Sequence, residues 1–312
     1  MTASRRPVGA PTEEAPFPYL PAAAFVVVWS SGYILGPLGV EAVDPFSLLA
    51  ARFALATAVL MPLARWRRGP LRIDRSALVR VCLVGLMMNA VQFSFMFGAF
   101  RAGLEPTLGA LLHSLSPVLT VVLAGLLLGE RVRRVQVLGL AIGVAGVVLV
   151  LGPEVEQAGG PVGLTLALFG VLSLSLGTLG QRWIPPRVDP WWAAGLQFAV
   201  ATPPLLALAL LVERDPVHDP VQGAVVLVLL AVVNSVVGLV LLGAVVRRGG
   251  AGASSSIFFL MPPVTAVMAW AIFGDTLGLR ELAGLVITVA GVALATRRPP
   301  RVAGRPGSTT PH

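Results

Sequence analysis

The sequence predicts an all-α integral membrane protein, with ten transmembrane helices arranged as two inverted five-helix repeats. Three observations carry that prediction. Of the 312 residues, 56% are hydrophobic and only 12% are charged, with mean hydropathy +0.84, whereas a soluble domain is about 25% charged. Apolar runs near the roughly 20 residues a helix needs to cross a bilayer recur along the whole chain. The chain also matches itself at an offset of 145 positions.

The apolar runs, in order, are 20–38, 46–64, 81–99, 106–128, 135–151, 162–181, 191–212, 222–245, 252–273 and 278–296. The last carries Arg280 and Glu281 in its first turn. Runs this long and continuous exclude a transmembrane β-barrel, whose strands alternate over about ten residues. They fall into two repeats, 18–152 and 161–297. The flanking segments 1–17 and 298–312, rich in Pro, Gly, Ser and Arg, are predicted to be disordered cytoplasmic tails. The stretch SRRPVG at 4–9 resembles a twin-arginine signal, but the residues expected after the arginines and a cleavage site are lacking.

Charge supplies the orientation. The chain has no lysine, so its 23 basic residues are all arginine. With the N-terminus in the cytoplasm and ten spans, Arg101, Arg214 and Arg280 face outside and Arg52 lies within a span. The other 19 arginines are cytoplasmic, the bias that sets the topology of membrane proteins. The net charge of +8 is therefore a topology signal, and no nucleic-acid partner is implied. The predicted surroundings are the lipid bilayer of the inner (plasma) membrane. Cys82 is the only cysteine, so no disulfide framework or cysteine-rich metal site is expected, and no cofactor is predicted.

The repeat holds one register throughout. Ser30 and Gly32 fall on Ser175 and Gly177, and Val43-Asp44-Pro45 falls on Val188-Asp189-Pro190. Asn89 falls on Asn234, and Pro117, Thr120, Gly129 and Glu130 fall on Pro262, Thr265, Gly274 and Asp275. Gly139 and Gly146 fall on Gly284 and Gly291. Five spans per repeat is an odd number, so the second copy enters the membrane from the opposite side. Inverted repeats of this kind build secondary transporters, with the substrate site near the midplane between the halves.

The stretches FVVVWSSGYILG (25–36), DPFSLLAARFALA (44–56) and SLSPVLTVVLAGLLLGERVRRVQVLGLAIGVAGVVLV (114–150) resemble the EamA-like branch of the drug/metabolite transporter superfamily, over about residues 20–297. The resemblance implies a ten-span secondary transporter that exports or exchanges small metabolites, such as amino acids or related compounds. It also implies a central cavity walled by spans one, three, four, six, eight and nine.

Candidate residues follow from polar stripes within these spans, which should face protein or a watery cavity and not lipid. Gly109, His113, Ser116, Pro117 and Thr120 share one face of span four, and Ser254, Phe258, Met261, Pro262 and Thr265 share the matching face of span nine. Asn89, Gln92, Phe93 and Met96 form a stripe on span three, answered by Asn234 and Ser235 on span eight. Trp29, Ser30 and Tyr33 give span one a polar face. The expected binding residues are thus Trp29, Ser30, Tyr33, Asn89, Gln92, Phe93, His113, Ser116, Asn234, Ser254 and Phe258. Gln92 reads as cargo-specific, and the matched asparagines as a structural bond.

Pro117 and Pro262 are expected bending points, because each removes a helical hydrogen bond; a static packing kink is the alternative. His113 reads either as a proton-coupling group or as a neutral hydrogen-bonding wall of the cavity. Arg52, about 10 Å into span two at 1.5 Å per residue, is expected to snorkel to the outer interface, with a role as carboxylate anchor as the alternative. Glu130 and Asp275 are expected to cap the helices that follow them.

Two other functions are weighed. A membrane-embedded enzyme could use Ser254 in GASS (252–255) with His113 as base. However, the pattern lacks a glycine after the serine, and no HExxH or carboxylate cluster occurs within the spans. A channel would call for rings of charged or carbonyl ligands, which the chain does not display. A non-enzymatic transporter is the expectation.

Overall fold

The computed structural model describes residues 19–151, 159–245, 260–274 and 278–296. These are helical, apart from connections and an isolated Val43–Val217 bridge. The helices are α1 Tyr19–Ala42, α2 Pro45–Arg68, α3 Arg75–Arg101, α4 Pro106–Leu128, α5 Arg134–Leu151, α6 Gly160–Gly180, α7 Pro190–Val212, α8 Pro220–Val245, α9 Met261–Phe273 and α10 Leu279–Thr296. Seven of them, α1 to α4 and α6 to α8, are long and apolar enough to cross a membrane; α5, α9 and α10 are shorter, at 18, 13 and 18 residues. Among the described residues, seven helices are thus of spanning length and three are shorter, which fits the two-repeat architecture without showing ten full spans. Ser254, Phe258 and Asp275 lie outside the described residues.

The 145-residue offset reappears in the helix boundaries. The starts of α2, α5 and the first turn of α3 at 45, 134 and 75 recur at 190, 279 and 220. The second half of α4, Ser116–Leu128, maps residue for residue onto α9. Both of these helices end on a left-handed glycine, Gly129 (φ 68°) and Gly274 (φ 77°), a conformation in which a side chain would be strained.

Two of the contacts between equivalent helices are especially close. In α2 against α7, Phe53 stacks on its own counterpart Phe198, with centroids 5.4 Å apart and planes 12° apart. In α5 against α10 the backbones nearly touch. A Cβ on Gly139 would lie 2.5 Å from the Gly291 carbonyl, and one on Gly146 would lie 2.7 Å from the Gly284 carbonyl. These pairings run in opposite sequence order, so the equivalent helices are antiparallel. Small residues allow this approach, which is how helices associate where lipid supplies no hydrophobic drive.

Carboxylates close the helix ends. On the face carrying the arginine-rich connections, Asp189 accepts from Trp191 N (2.9 Å) and Trp192 N at the start of α7 and pairs with Arg68 at 3.4 Å. At the equivalent place on the opposite face, Glu213 from the end of α7 caps α2, accepting from Phe46 N at 2.6 Å and Ser47 N at 2.8 Å. Asp44 is thereby left free to pair with Arg101 (3.5 Å) and His218 (3.1 Å). Glu130 does not cap α5 as predicted. It sits four residues before that helix, beyond the left-handed turn at Gly129, and pairs with Arg182 at 2.8 Å. Gln136 takes the capping role, its Oε1 accepting from Arg133 N at 2.8 Å.

Candidate functional site

Three interruptions of regular helix lie at the level of the predicted polar stripes. Helix α4 breaks at Leu115, between Pro106–Ser114 and Ser116–Leu128, where Pro117 cannot donate to the His113 carbonyl. Helix α3 widens to a π-helix over Leu86–Val91, and α8 does so over Leu229–Val237. Each π segment contains the matched asparagine, Asn89 or Asn234. Such insertions re-aim side chains and gather at functional sites. Pro262 stands in the first turn of α9.

The first polar group joins α1, α3 and α4. Tyr33 Oη lies 2.8 Å from His113 Nδ1, and Gln92 Nε2 lies 3.1 Å from His113 Nε2. An amide nitrogen only donates, so in this orientation His113 Nε2 accepts and its proton resides on Nδ1. Nδ1–H then donates to the Tyr33 oxygen, leaving the phenolic O–H free to donate to a third group. Gln92 and Tyr33 are buried, whereas His113 is half-buried and meets the Tyr33 ring edge-on at 5.5 Å.

The second group joins α2, α8 and α1 around a cation. Arg52 is 3% exposed. Its Nη2 donates to Asn234 Oδ1 at 3.0 Å, and its Nε and Nη2 lie 3.3 Å from Ser235 Oγ. The guanidinium sits 4.6 Å from the Phe93 ring centroid and 5.4 Å from that of Phe53. Asn234 Nδ2 in turn donates to the Val28 carbonyl at 2.8 Å. The approach is tight, since a Cβ on Gly32 would lie 2.9 Å from Asn234 Nδ2. Arg52 therefore does not snorkel outward. The widened turn of α8 offers it an amide and a hydroxyl, and three phenylalanines, counting Phe97, cover it.

Two hydroxyl contacts are equivalent in the two halves. Ser30 Oγ donates to the Met261 carbonyl at 3.3 Å. Ser175 Oγ donates to the carbonyl of Ser116, the residue equivalent to Met261, at the same distance. Ser175 Oγ also lies 3.1 Å from Ser116 Oγ. Thr120 Oγ1 caps the Ser116 carbonyl at 2.8 Å, but its counterpart Thr265 is the one fully buried side-chain polar atom without a partner among the described residues.

Of the predicted residues, Tyr33, His113 and Gln92 meet directly, Phe93 and Asn234 meet through Arg52, and Ser30 and Ser116 bond instead to Met261 and Ser175. Trp29 lies half-buried beside the core. Asn89 is buried yet makes no hydrogen bond among the described residues, so the expected symmetric asparagine bond exists in only one half. Arg52 and Ser175 were missing from the predicted set, although each carried a signal. Arg52 is the sole charge deep in a span, and Ser175 is the repeat partner of Ser30.

The model of the EamA-like transporter family matches the chain twice, over residues 17–152 and 161–297. An Escherichia coli protein described as an uncharacterized inner membrane transporter, YedA, is 24% identical over 273 residues, 88% of each chain. A probable amino-acid metabolite efflux pump of Salmonella typhimurium is 24% identical over 89% of this chain and 96% of its own. A probable terminal-alkyne amino-acid exporter of Streptantibioticus cattleyicolor is 27% identical over 88% and 91%. A solved crystal structure shares the fold at TM-score 0.64 and 22% identity, covering 89% of this chain and 96% of that one.

Proposed function

The chain belongs to the EamA-like transporter family, a multi-pass plasma membrane protein, and on that premise we propose that it exports small metabolites such as amino acids or related compounds. The observation that carries this reading is the two intramembrane polar groups, Tyr33–His113–Gln92 and Arg52–Asn234, set where α3, α4 and α8 all depart from regular helix. Polar groups inside a membrane are costly and mark substrate pathways. The names of the Salmonella and Streptantibioticus relatives support amino-acid-like cargo.

In this reading the cargo occupies the space between the two halves, and access alternates between the two membrane faces with both termini in the cytoplasm. Equal antiparallel halves support alternation, because two mirror-related packings of similar energy give two states to exchange. Tyr33 O–H is the donor offered to the cargo, and His113 holds it in place as a neutral hydrogen-bonding group.

The test is efflux from proteoliposomes loaded with a panel of amino acids. Wild type should release at least one faster than empty liposomes do. His113→Ala should slow that release about tenfold, the cost of one buried hydrogen bond to a positioned group, while His113→Gln retains part of it. Efflux of no amino acid would sink the cargo assignment. A His113→Ala variant with wild-type rates would remove His113 from the site.

A further inference from the structure

Helix α2 belongs to no predicted cavity wall, yet it delivers a full positive charge to the edge of the polar cluster. Arg52 stands beside Phe93, whose neighbour Gln92 touches His113, and it shares Asn234 with the α1 backbone. Within α2, and within α3 and α8 against which the guanidinium rests, the sequence contains no acidic residue. Its partners are an amide oxygen, a hydroxyl and aromatic faces, which solvate a cation without neutralising it. Its Nη1 nitrogen has no hydrogen-bond partner among the described residues.

A buried charge is costly unless it is paired, and the architecture does not require this one. The equivalent residue in the second half is Gln197, a neutral side chain that accepts from Gln181 Nε2 at 3.3 Å. The Phe53–Phe198 stack, one residue after each position, holds α2 against α7 through apolar rings that need no charge. What only Arg52 supplies is a fixed positive charge whose Nη1 donors are unpaired among the described residues, which suits a carboxylate oxygen.

We propose that Arg52 is the anion-recognising group of the central site, and that the cargo carries a carboxylate which completes the coordination of its guanidinium. This rests on the transport reading above and adds the chemical feature by which cargo is selected. The aromatic faces of Phe93, Phe53 and Phe97 exclude water around the ion pair, which strengthens it. Tyr33 and His113 are left to read the uncharged part of the cargo.

The experiment compares carboxylates with their amides on the full chain in lipid nanodiscs. The probes are L-leucine, L-phenylalanine and benzoate against L-leucinamide, L-phenylalaninamide and benzamide, with binding measured for wild type, Arg52→Gln and Arg52→Lys. Wild type should bind at least one carboxylate tenfold or more tightly than its amide, the scale of one charge-assisted hydrogen-bonded pair. Arg52→Gln should erase that preference, and Arg52→Lys should keep the charge but lose part of it.

A merely structural tie between α2 and α8 would weaken both members of each pair together and leave their ratio unchanged. The proposal is overturned if wild type prefers no carboxylate, or if Arg52→Gln keeps the preference. Should Arg52→Gln not fold, an unchanged preference in Arg52→Lys overturns it equally. Efflux assays on the same probes separate the two claims. Transport without carboxylate preference removes the role of Arg52 and leaves the exporter reading standing. Arg52-dependent binding without transport of any probe does the reverse.

Discussion

Asn89 and Asn234 occupy equivalent places in the two halves, each inside a π-helical turn and each buried, yet their surroundings differ completely. Asn234 is locked between the Arg52 guanidinium and the Val28 carbonyl, while Asn89 bonds to nothing among the described residues. The neighbouring polar residues diverge as well. Beyond Asn89 come Gln92 and His113, and the positions 145 residues later hold Val237 and Phe258. Backbone irregularities were kept in both copies while the side chains around them specialised. The shared backbone supplies a pair of adaptable turns, and one half ties its turn down while the other directs its side chains at a binding cluster.

The largest effect should come from the contact that both halves share. A Cβ on Gly291 would lie 2.4 Å from Gly143 N, and one on Gly146 would lie 2.4 Å from Thr288 Oγ1. Alanine at either position should destabilise the protein by about 1–3 kcal/mol through overpacking, read as a lower thermal midpoint in detergent. The control is Gly98, where the nearest atom to a new Cβ is 3.5 Å away; alanine there should be neutral or slightly stabilising. Equal effects at all three glycines would mean that α5 and α10 do not pack through their backbones.

Next comes the asparagine pair itself. Asn234→Ala strips an acceptor from a buried cation and should cost about 1–3 kcal/mol. Asn89→Ala, which breaks no hydrogen bond in the structure, should cost well under about 1 kcal/mol. A difference in this direction sharpens the comparison. Matching losses would show that the halves are more alike than these side chains indicate.

Much of this division was legible in the sequence, for reasons that also mark its limits. Helix existence and the repeat followed from long apolar runs and from identities such as Asn on Asn and Asp-Pro on Asp-Pro, which strong local composition makes visible. The Gln92, His113 and Ser116 stripes followed from helical periodicity. The direction of Arg52 did not, because snorkelling and burial differ only in what the neighbouring helices offer, and Asn234 and Ser235 lie more than 180 residues away. The role of Glu130 was misjudged for a related reason. A carboxylate before a helix reads as a cap, but the left-handed turn at Gly129 sets it next to Arg182. The π-helical turns carry no sequence signature beyond the asparagines themselves.

The two prolines extend the comparison to motion. Pro117 breaks α4 and Pro262 opens α9, and in the proposed topology these equivalent features act toward opposite membrane faces. Pro117→Ala restores a backbone donor and should straighten α4, biasing the balance of inward- and outward-open forms. Pro262→Ala should bias it the other way, with Pro263 beside it absorbing part of the effect. A bias of about 1.4 kcal/mol changes the ratio tenfold, enough to register in thiol labelling of cysteines placed at the two mouths in a Cys82→Ser background. Shifts in the same direction, or none, would leave both prolines as packing features.

The smallest effect separates two equivalent caps. Asp74 accepts from Ala77 N at 2.8 Å, and Asp219 accepts from Val221 N and Gln222 N at 2.9 Å. Among the described residues only Asp74 of the two has a cation on it, the guanidinium of Arg187. The Ala77 N–H and then Arg187 favour the carboxylate form, so the Asp74 carboxyl lies below its ordinary value. The sign follows directly. A depressed carboxyl contributes stability that is complete above the ordinary pKa near 3.8 and is lost as pH falls through the lower folded value. Hydrogen exchange at Ala77 and Leu78, in the first turn of α3, should therefore accelerate in acid below that range, and Asp74→Asn should abolish the dependence while leaving the turn partly capped. Because Asp74 is open to solvent, added salt should shrink the contribution of Arg187 and leave that of the Ala77 hydrogen bond. If exchange at Ala77 shows the same acid dependence in Asp74→Asn as in wild type, this carboxylate is not what fastens the start of α3.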